Sequence, residues 1–209
     1  MTGQPLADLA PEDRLMLVVG RTAQKSVEVE HLMRVIWVDL VGGNADTTTA
    51  PTGNRDVVKG IERLADQSIE LTEEERTTLR RAVRSASHAQ QRRNTVVHER
   101  WALDKTTASW IPTTGNSRQM PSDTPKPNWT AAEFESVLID LHKASLQLAV
   151  LAGVVATARG RAPQTISMTA EESMDFRAKL LAIACSLDAE FSLPAIEDVR
   201  RMLTGNRPK

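Results

Sequence analysis

Apolar residues recur at three- and four-residue spacing through most of the chain, which predicts helices rather than strands. Leu15, Val18, Val19, Thr22, Val29, Leu32, Met33, Ile36 and Leu40 keep this rhythm after Pro11, Glu12 and Asp13. Those three suit a first turn, where Pro is tolerated and acids complement the helix dipole. The spacing therefore predicts one long helix over 11–41, closed by Gly42-Gly43-Asn44. Residues 45–54, rich in Thr, Pro and Gly, read as a loop, and Val57, Val58, Ile61 and Leu64 predict a short amphipathic helix. Thr72-Glu73-Glu74-Glu75 fits a capping box and predicts a helix of about seven turns, to about Trp101.

Residues 105–128 are dense in Thr, Ser, Pro, Gly and Asn and predict an extended loop or a small hairpin. Thr130 and Glu133 repeat the capping-box pattern and open a helix to about Ala158, whose second half, SLQLAVLAGVVATA, is apolar nearly all round. Gly160 and Pro163 mark a break. A helix over 171–187 and a last one over 192–205, with Pro194 in its first turn, complete the pattern. The expected fold class is all-α: a helical bundle over residues 1–160, with a long loop before its fourth helix, and an appended C-terminal helical pair over 161–209.

Composition narrows the functional classes. Hydrophobic residues make up 41% and charged residues 25% of the 209, an ordinary globular balance. With a net charge of -1, any site for a polyanion must be a local patch. Cys185, the only cysteine, supports neither a disulfide framework nor a thiolate zinc cluster, and is expected to be a buried small residue. No basic start followed by an apolar run marks the N-terminus as a secretory signal. The longest uncharged run, between Lys143 and Arg159, is shorter than the roughly 20 residues of a membrane span, so the expectation is a cytoplasmic protein with no membrane partner.

The chemistry concentrates in one helix. From Arg76 to His98 there are six arginines and neither lysine nor acid. Arg76, Arg80 and Arg84 share a face, with Arg92 and Arg93 at the far end near His88 and His98. Guanidinium groups stay charged and bind phosphate oxygens in a fork, so Arg76, Arg80, Arg84 and Arg92 are candidate nucleic-acid contacts. The same arginines would equally serve as a solvated face paired with the acids of a neighbouring helix.

Arg93-Asn94-Thr95-Val96-Val97-His98 resembles the signature of the HEPN family, named for higher eukaryote and prokaryote nucleotide binding: an Arg, often followed by a polar residue, with a His four to six positions on. Arg93, Asn94 and His98 match that form. Trp101 is similar to the aromatic often found after the His, and Val29-Glu30-His31-Leu32 resembles a first-helix pattern of related proteins. The resemblance covers roughly residues 12–158. In a chain of this composition the Arg-to-His spacing arises by chance about 0.4 times, and requiring the adjacent Asn lowers that to about 0.01.

The resemblance implies a four-helix HEPN-like bundle and a metal-independent endoribonuclease of the kind used in toxin-antitoxin or phage-defence systems. It further implies a homodimer with its sites at the subunit interface, RNA as substrate and an antitoxin protein as partner. Arg93, Asn94 and His98 would be catalytic, with Glu30, His88 and Trp101 supporting, and no cofactor or metal. Attack by the RNA 2′-hydroxyl needs an acid or base, a role for His98, and charge on the phosphorane, a role for Arg93. Asn94, one turn before His98, would hold the imidazole. Arg93 and His98 point about 140° apart, so they converge only through the long Arg side chain or a partner subunit. The alternative is a noncatalytic helical module that binds a protein or nucleic acid through the same helix.

Other constellations are thinner. Glu28 and His31 have di-iron ligand spacing, but no second Glu-x-x-His exists, and neither HExxH nor a Gly-rich phosphate loop is present. With no Tyr and three Phe the chain lacks a base-stacking platform. Trp101, Trp110 and Trp129 are expected to anchor the loop they flank, and His142 to be a satisfied core histidine.

Overall fold

The computed structural model describes residues 10–42, 45–107, 109–113, 128–161 and 169–189. Among these are helices α1 (Pro11–Val41), α2 (Asn54–Gln67), α3 (Glu73–His98), α4 (Ala131–Ala158) and α5 (Ala170–Ala189). A two-stranded antiparallel hairpin, β1 (Trp101–Asp104) and β2 (Ser109–Pro112), lies between α3 and α4. The protein is thus predominantly helical. The segment before α4 uses the hairpin alternative, and β1 begins only two residues after α3. The expected helix over 192–205, most of the loop before α4 (114–127) and Pro163 lie outside the described residues.

Helix starts follow the capping chemistry. At α3 the Thr72 amide donates to Glu75 Oε2 at 2.7 Å, while the Glu75 amide donates to Thr72 Oγ1 at 3.3 Å. Thr130 and Glu133 repeat the exchange at α4, at 2.6 and 3.3 Å. A third box, Thr169 with Glu172, opens α5 at 2.7 and 3.2 Å. α2 starts three residues earlier than its apolar rhythm, because Gly53, in an extended conformation, begins the helix without a side-chain cap.

The described residues fall into two compact units, and α1, α3 and α4 each contribute to both. The first holds residues up to Val27 together with those of His88–Leu141. Its core is Leu15, Val18, Val96, Trp110, Phe134, Val137 and Leu141, all buried. Ser26 and Gln90, also buried, satisfy one another: Ser26 Oγ donates to Gln90 Oε1 at 2.9 Å and Gln90 Nε2 donates to the Ser26 carbonyl at 2.7 Å. Residue 110 exchanges backbone hydrogen bonds with Trp129 at 2.7 and 2.8 Å. The rings of Trp101, Trp129 and Phe134 meet with centroids 4.8 to 5.6 Å apart, so the tryptophans do anchor the hairpin.

The second unit holds Glu28–Ser87 and the described residues from His142 onward. Met33 and Ile36 of α1, Ile61 of α2, Leu79 and Val83 of α3, Leu148 and Leu151 of α4, and Leu187 of α5 are fully buried there. Each such side chain contributes about 1.5–3 kcal/mol. By length and composition α4 is the one helix among the described residues able to cross a membrane, with a window of mean hydropathy 1.5, half of it buried inside the protein. Its buried polar residues are bonded within the unit, Ser145 Oγ to Glu28 Oε1 at 2.5 Å and Gln147 Nε2 to the Ala184 carbonyl at 3.2 Å. Cys185, expected to be buried, is only partly so, with Thr78 Oγ1 at 3.9 Å, and His142 is half-buried.

Two helix ends close on left-handed glycines. Gly160 has φ of 67°, and the amide of residue 161 donates to the Ala156 carbonyl at 2.8 Å, a Schellman pattern. Gly42 has φ of 76°, and its amide donates to the Val38 carbonyl at 3.0 Å. Arg159 then covers the end of α1, donating to the Leu40 and Asp39 carbonyls at 2.9 and 3.3 Å and pairing with Glu70 at 2.6 Å. A Cβ on residue 42 would lie 2.9 Å from Arg159 Nη2. Gly42→Ala is expected to cost about 1–2 kcal/mol for the left-handed backbone, plus the displacement of Arg159, read as a lower urea midpoint. An unchanged midpoint would show that the end of α1 is not under this constraint.

Among the described residues four carboxyls are held below their ordinary values of 3.8 (Asp) and 4.5 (Glu) by hydrogen bonds: Asp46 by the Thr48 hydroxyl, Glu70 by its own amide, Asp104 by the Thr107 hydroxyl and Glu172 by the Thr169 amide. Asp39 is displaced upward by burial, opposed by the Arg161 guanidinium. A carboxyl held low binds fewer protons folded than unfolded, so its stabilisation is present above the unfolded value and lost as pH falls through the folded one. Asp39 acts in the opposite sense. Through these four groups the urea midpoint is expected to fall as pH drops below the ordinary carboxylate range, with Asp39 opposing the fall. A flat profile would contradict these hydrogen bonds.

Candidate functional site

His98 is the last residue of α3, and α3 reaches it as a regular helix because no Gly or Pro interrupts residues 73–98. The imidazole is exposed and bonds to no other described residue. Asn94, one turn earlier, is also exposed, about 40° around the helix from His98. Arg93 is half-buried, with its Nε shielded and without a hydrogen-bond partner. Its Nη1 donates to Asn94 Oδ1 at 3.0 Å.

This bond changes the geometry expected from helical spacing. The Cα–Cβ directions of Arg93 and His98 diverge by about 140°, but the guanidinium is hydrogen-bonded to the side chain of Asn94, which stands only about 40° around the helix from His98. Asn94 does not hold the imidazole by a hydrogen bond; its carbonyl oxygen is taken by Arg93, and its amide nitrogen keeps two donors.

Below His98 the helix end is closed by the hairpin. Trp101 Nε1 donates to the Val96 carbonyl at 3.1 Å, satisfying one of the carbonyls that a helix terminus leaves open. The Thr113 amide donates to the Arg100 carbonyl at 2.7 Å. Arg92 is half-buried and committed to α4: its Nη1 pairs with Asp140, and its Nη2 donates to Ser136 Oγ at 2.7 Å. Ser136 and Asp140 were not singled out by sequence reasoning. Their only signal is an i,i+4 spacing within the polar first half of α4.

The other three candidate phosphate contacts, Arg76, Arg80 and Arg84, lie in the second unit and each has a carboxylate partner. Arg76 Nε is 3.3 Å from Glu73 and its Nη1 donates to the Ser68 carbonyl at 3.3 Å. Arg80 contacts Asp66 at 3.0 Å and Glu73 at 3.1 Å, and Arg84 contacts Glu62 at 2.5 Å. Three acids thus balance three guanidiniums. Such exposed pairs are worth about 0–1 kcal/mol, so a phosphate could replace a carboxylate at small cost. Glu30 is half-buried in the same unit and lines a small recess with Met33, Arg34 and Asn54. His88 is exposed on the first unit's part of α3, ten residues before His98.

Arg93, Asn94, His98, Arg92 and Trp101 therefore share one end of α3 in the first unit, whereas Arg76, Arg80, Arg84 and Glu30 belong to the second. Among the described residues no three His, Cys, Asp or Glu side chains cluster to hold a metal, and Glu28 accepts from Ser145. Chemically, the helix end offers an exposed imidazole, a guanidinium with uncommitted N–H groups and a primary amide, a set able to bind and polarise a phosphodiester. No protein-family profile matches the chain, and no curated protein or solved structure is significantly similar to it.

Proposed function

We propose that this chain is a metal-independent endoribonuclease of the HEPN type, acting as a homodimer on RNA and held in check by an antitoxin protein. The observation that carries the reading is the Arg93 to Asn94 hydrogen bond, which ties the guanidinium to a residue on the same side of α3 as the exposed His98. In this reading His98 takes the proton from the attacking 2′-hydroxyl or, as the imidazolium, gives one to the leaving 5′-oxygen. Arg93 stabilises the phosphorane charge. Asn94 fixes the guanidinium and offers its N–H donors to the phosphate or to the imidazole. The helical architecture is in keeping with a HEPN-like bundle, and the arginines of the second unit would guide the polyanion by exchanging carboxylates for phosphates.

The test is incubation of the purified protein with RNA in excess EDTA. Cleavage that leaves 2′,3′-cyclic phosphate ends is the expected result, because attack by the neighbouring hydroxyl must close that ring. Intact RNA would end the proposal. A second reading, a noncatalytic module binding a partner through α3, is favoured by the carboxylate already paired with each of Arg80, Arg84 and Arg92. It gives binding that weakens with salt, without turnover.

A further inference from the structure

In the first unit a cavity of about 620 Å³ opens between the first turns of α1, the first turns of α4 and the hairpin. Its apolar walls are Leu15, Val18, Leu103, Trp110 and Phe134. The size falls within the roughly 300–1,000 Å³ of small-molecule sites, and such sites pair apolar walls with a few polar groups that orient the ligand.

Four charged side chains line it as well, and they divide into two kinds. Arg14 and Glu135 satisfy each other, with Arg14 Nε donating to Glu135 Oε1 at 3.1 Å. Glu12 and Lys105 are exposed, and neither bonds to another described residue. The uncommitted groups are therefore one carboxylate and one ammonium. A ligand with a single charge would be matched by one of them and opposed by the other, whereas a ligand with both charges is matched twice. Ala131 also lines the cavity, in the first turn of α4, where the helix dipole favours a carboxylate. The apolar lining favours a ligand that also carries an apolar body.

We infer that this cavity binds a small amphipathic zwitterion, with its ammonium on Glu12, its carboxylate on Lys105 and its apolar body against half-buried Leu103 and the apolar wall behind it. The site is independent of the ribonuclease reading and stands if that reading fails.

The probe is the dipeptide phenylalanyl-leucine, titrated calorimetrically at low salt into the full chain. Saturable binding is expected, with the N-acetylated and C-amidated forms each about threefold weaker, since exposed charge pairs contribute only modestly. Lys105→Gln should weaken the dipeptide and its acetylated form but leave the amidated form unchanged, and Glu12→Gln should do the converse. Ala131→Trp, at the partly exposed rim and outside the core, should fill the cavity and abolish binding while the circular dichroism spectrum stays helical. The inference is overturned by absence of binding at roughly 5 mM dipeptide, by capped forms that bind as well as the free one, or by undiminished binding to Ala131→Trp.

Discussion

His98→Ala is expected to lower metal-free RNA cleavage by about 10²–10⁴-fold, the usual share of a positioned proton-transfer group. The side chain is exposed and bonds to no other described residue, so its removal leaves the fold intact and the loss reads as chemistry. Arg93→Lys should cost about 10²–10³-fold, because an ammonium cannot both reach Asn94 and present a second N–H fork to the phosphate. Since both groups act on one transition state, the double variant should fall little below the worse single one. If His98→Ala cleaves as fast as the parent, α3 carries no catalytic imidazole and the binding reading takes its place.

The largest effect on stability is expected from Arg177→Met. Glu75 is 4% exposed, and its two oxygens receive Arg177 Nε at 2.9 Å, Arg177 Nη2 at 2.5 Å and the Thr72 amide at 2.7 Å. The same Arg177 Nη2 donates to the Glu70 carbonyl at 2.8 Å. One carboxylate therefore both starts α3 and fastens α5. Removing the guanidinium leaves that carboxylate buried without its countercharge, which costs about 3–5 kcal/mol in urea unfolding. Glu75→Gln combined with Arg177→Met should recover part of the loss, because an amide still accepts from Thr72 and no charge is orphaned. A loss under about 1 kcal/mol for Arg177→Met would mean that solvent reaches Glu75.

Local signals in the sequence account for most of the helices. Thr72 with Glu75 and Thr130 with Glu133 mark starts because both partners of a capping box lie within four residues, and Gly42 and Gly160 mark ends because only glycine takes those φ values readily. The Thr169 to Glu172 box was equally local and would have fixed the start of α5. The early start of α2 was not legible, since Gly53 caps it through its backbone and not through a side chain. For the candidate site, spacing placed Asn94 and His98 on one side of α3. The direction of the Arg93 side chain depends on its rotamer, which spacing does not encode. The pairing of Arg80 with Asp66 and of Arg84 with Glu62 joins residues 14 and 22 positions apart, and that is set by how α2 and α3 meet within their unit.

Only Glu99 and Arg100 separate His98 from a strand whose first indole reaches back to the Val96 carbonyl. One residue added in that bridge would pull the ring off the carbonyl and leave the end of α3 without that donor, whereas residues added at the turn after Asp104 would only lengthen a surface tip. Among sequences sharing this arrangement, insertions should therefore accumulate at the tip and spare the bridge.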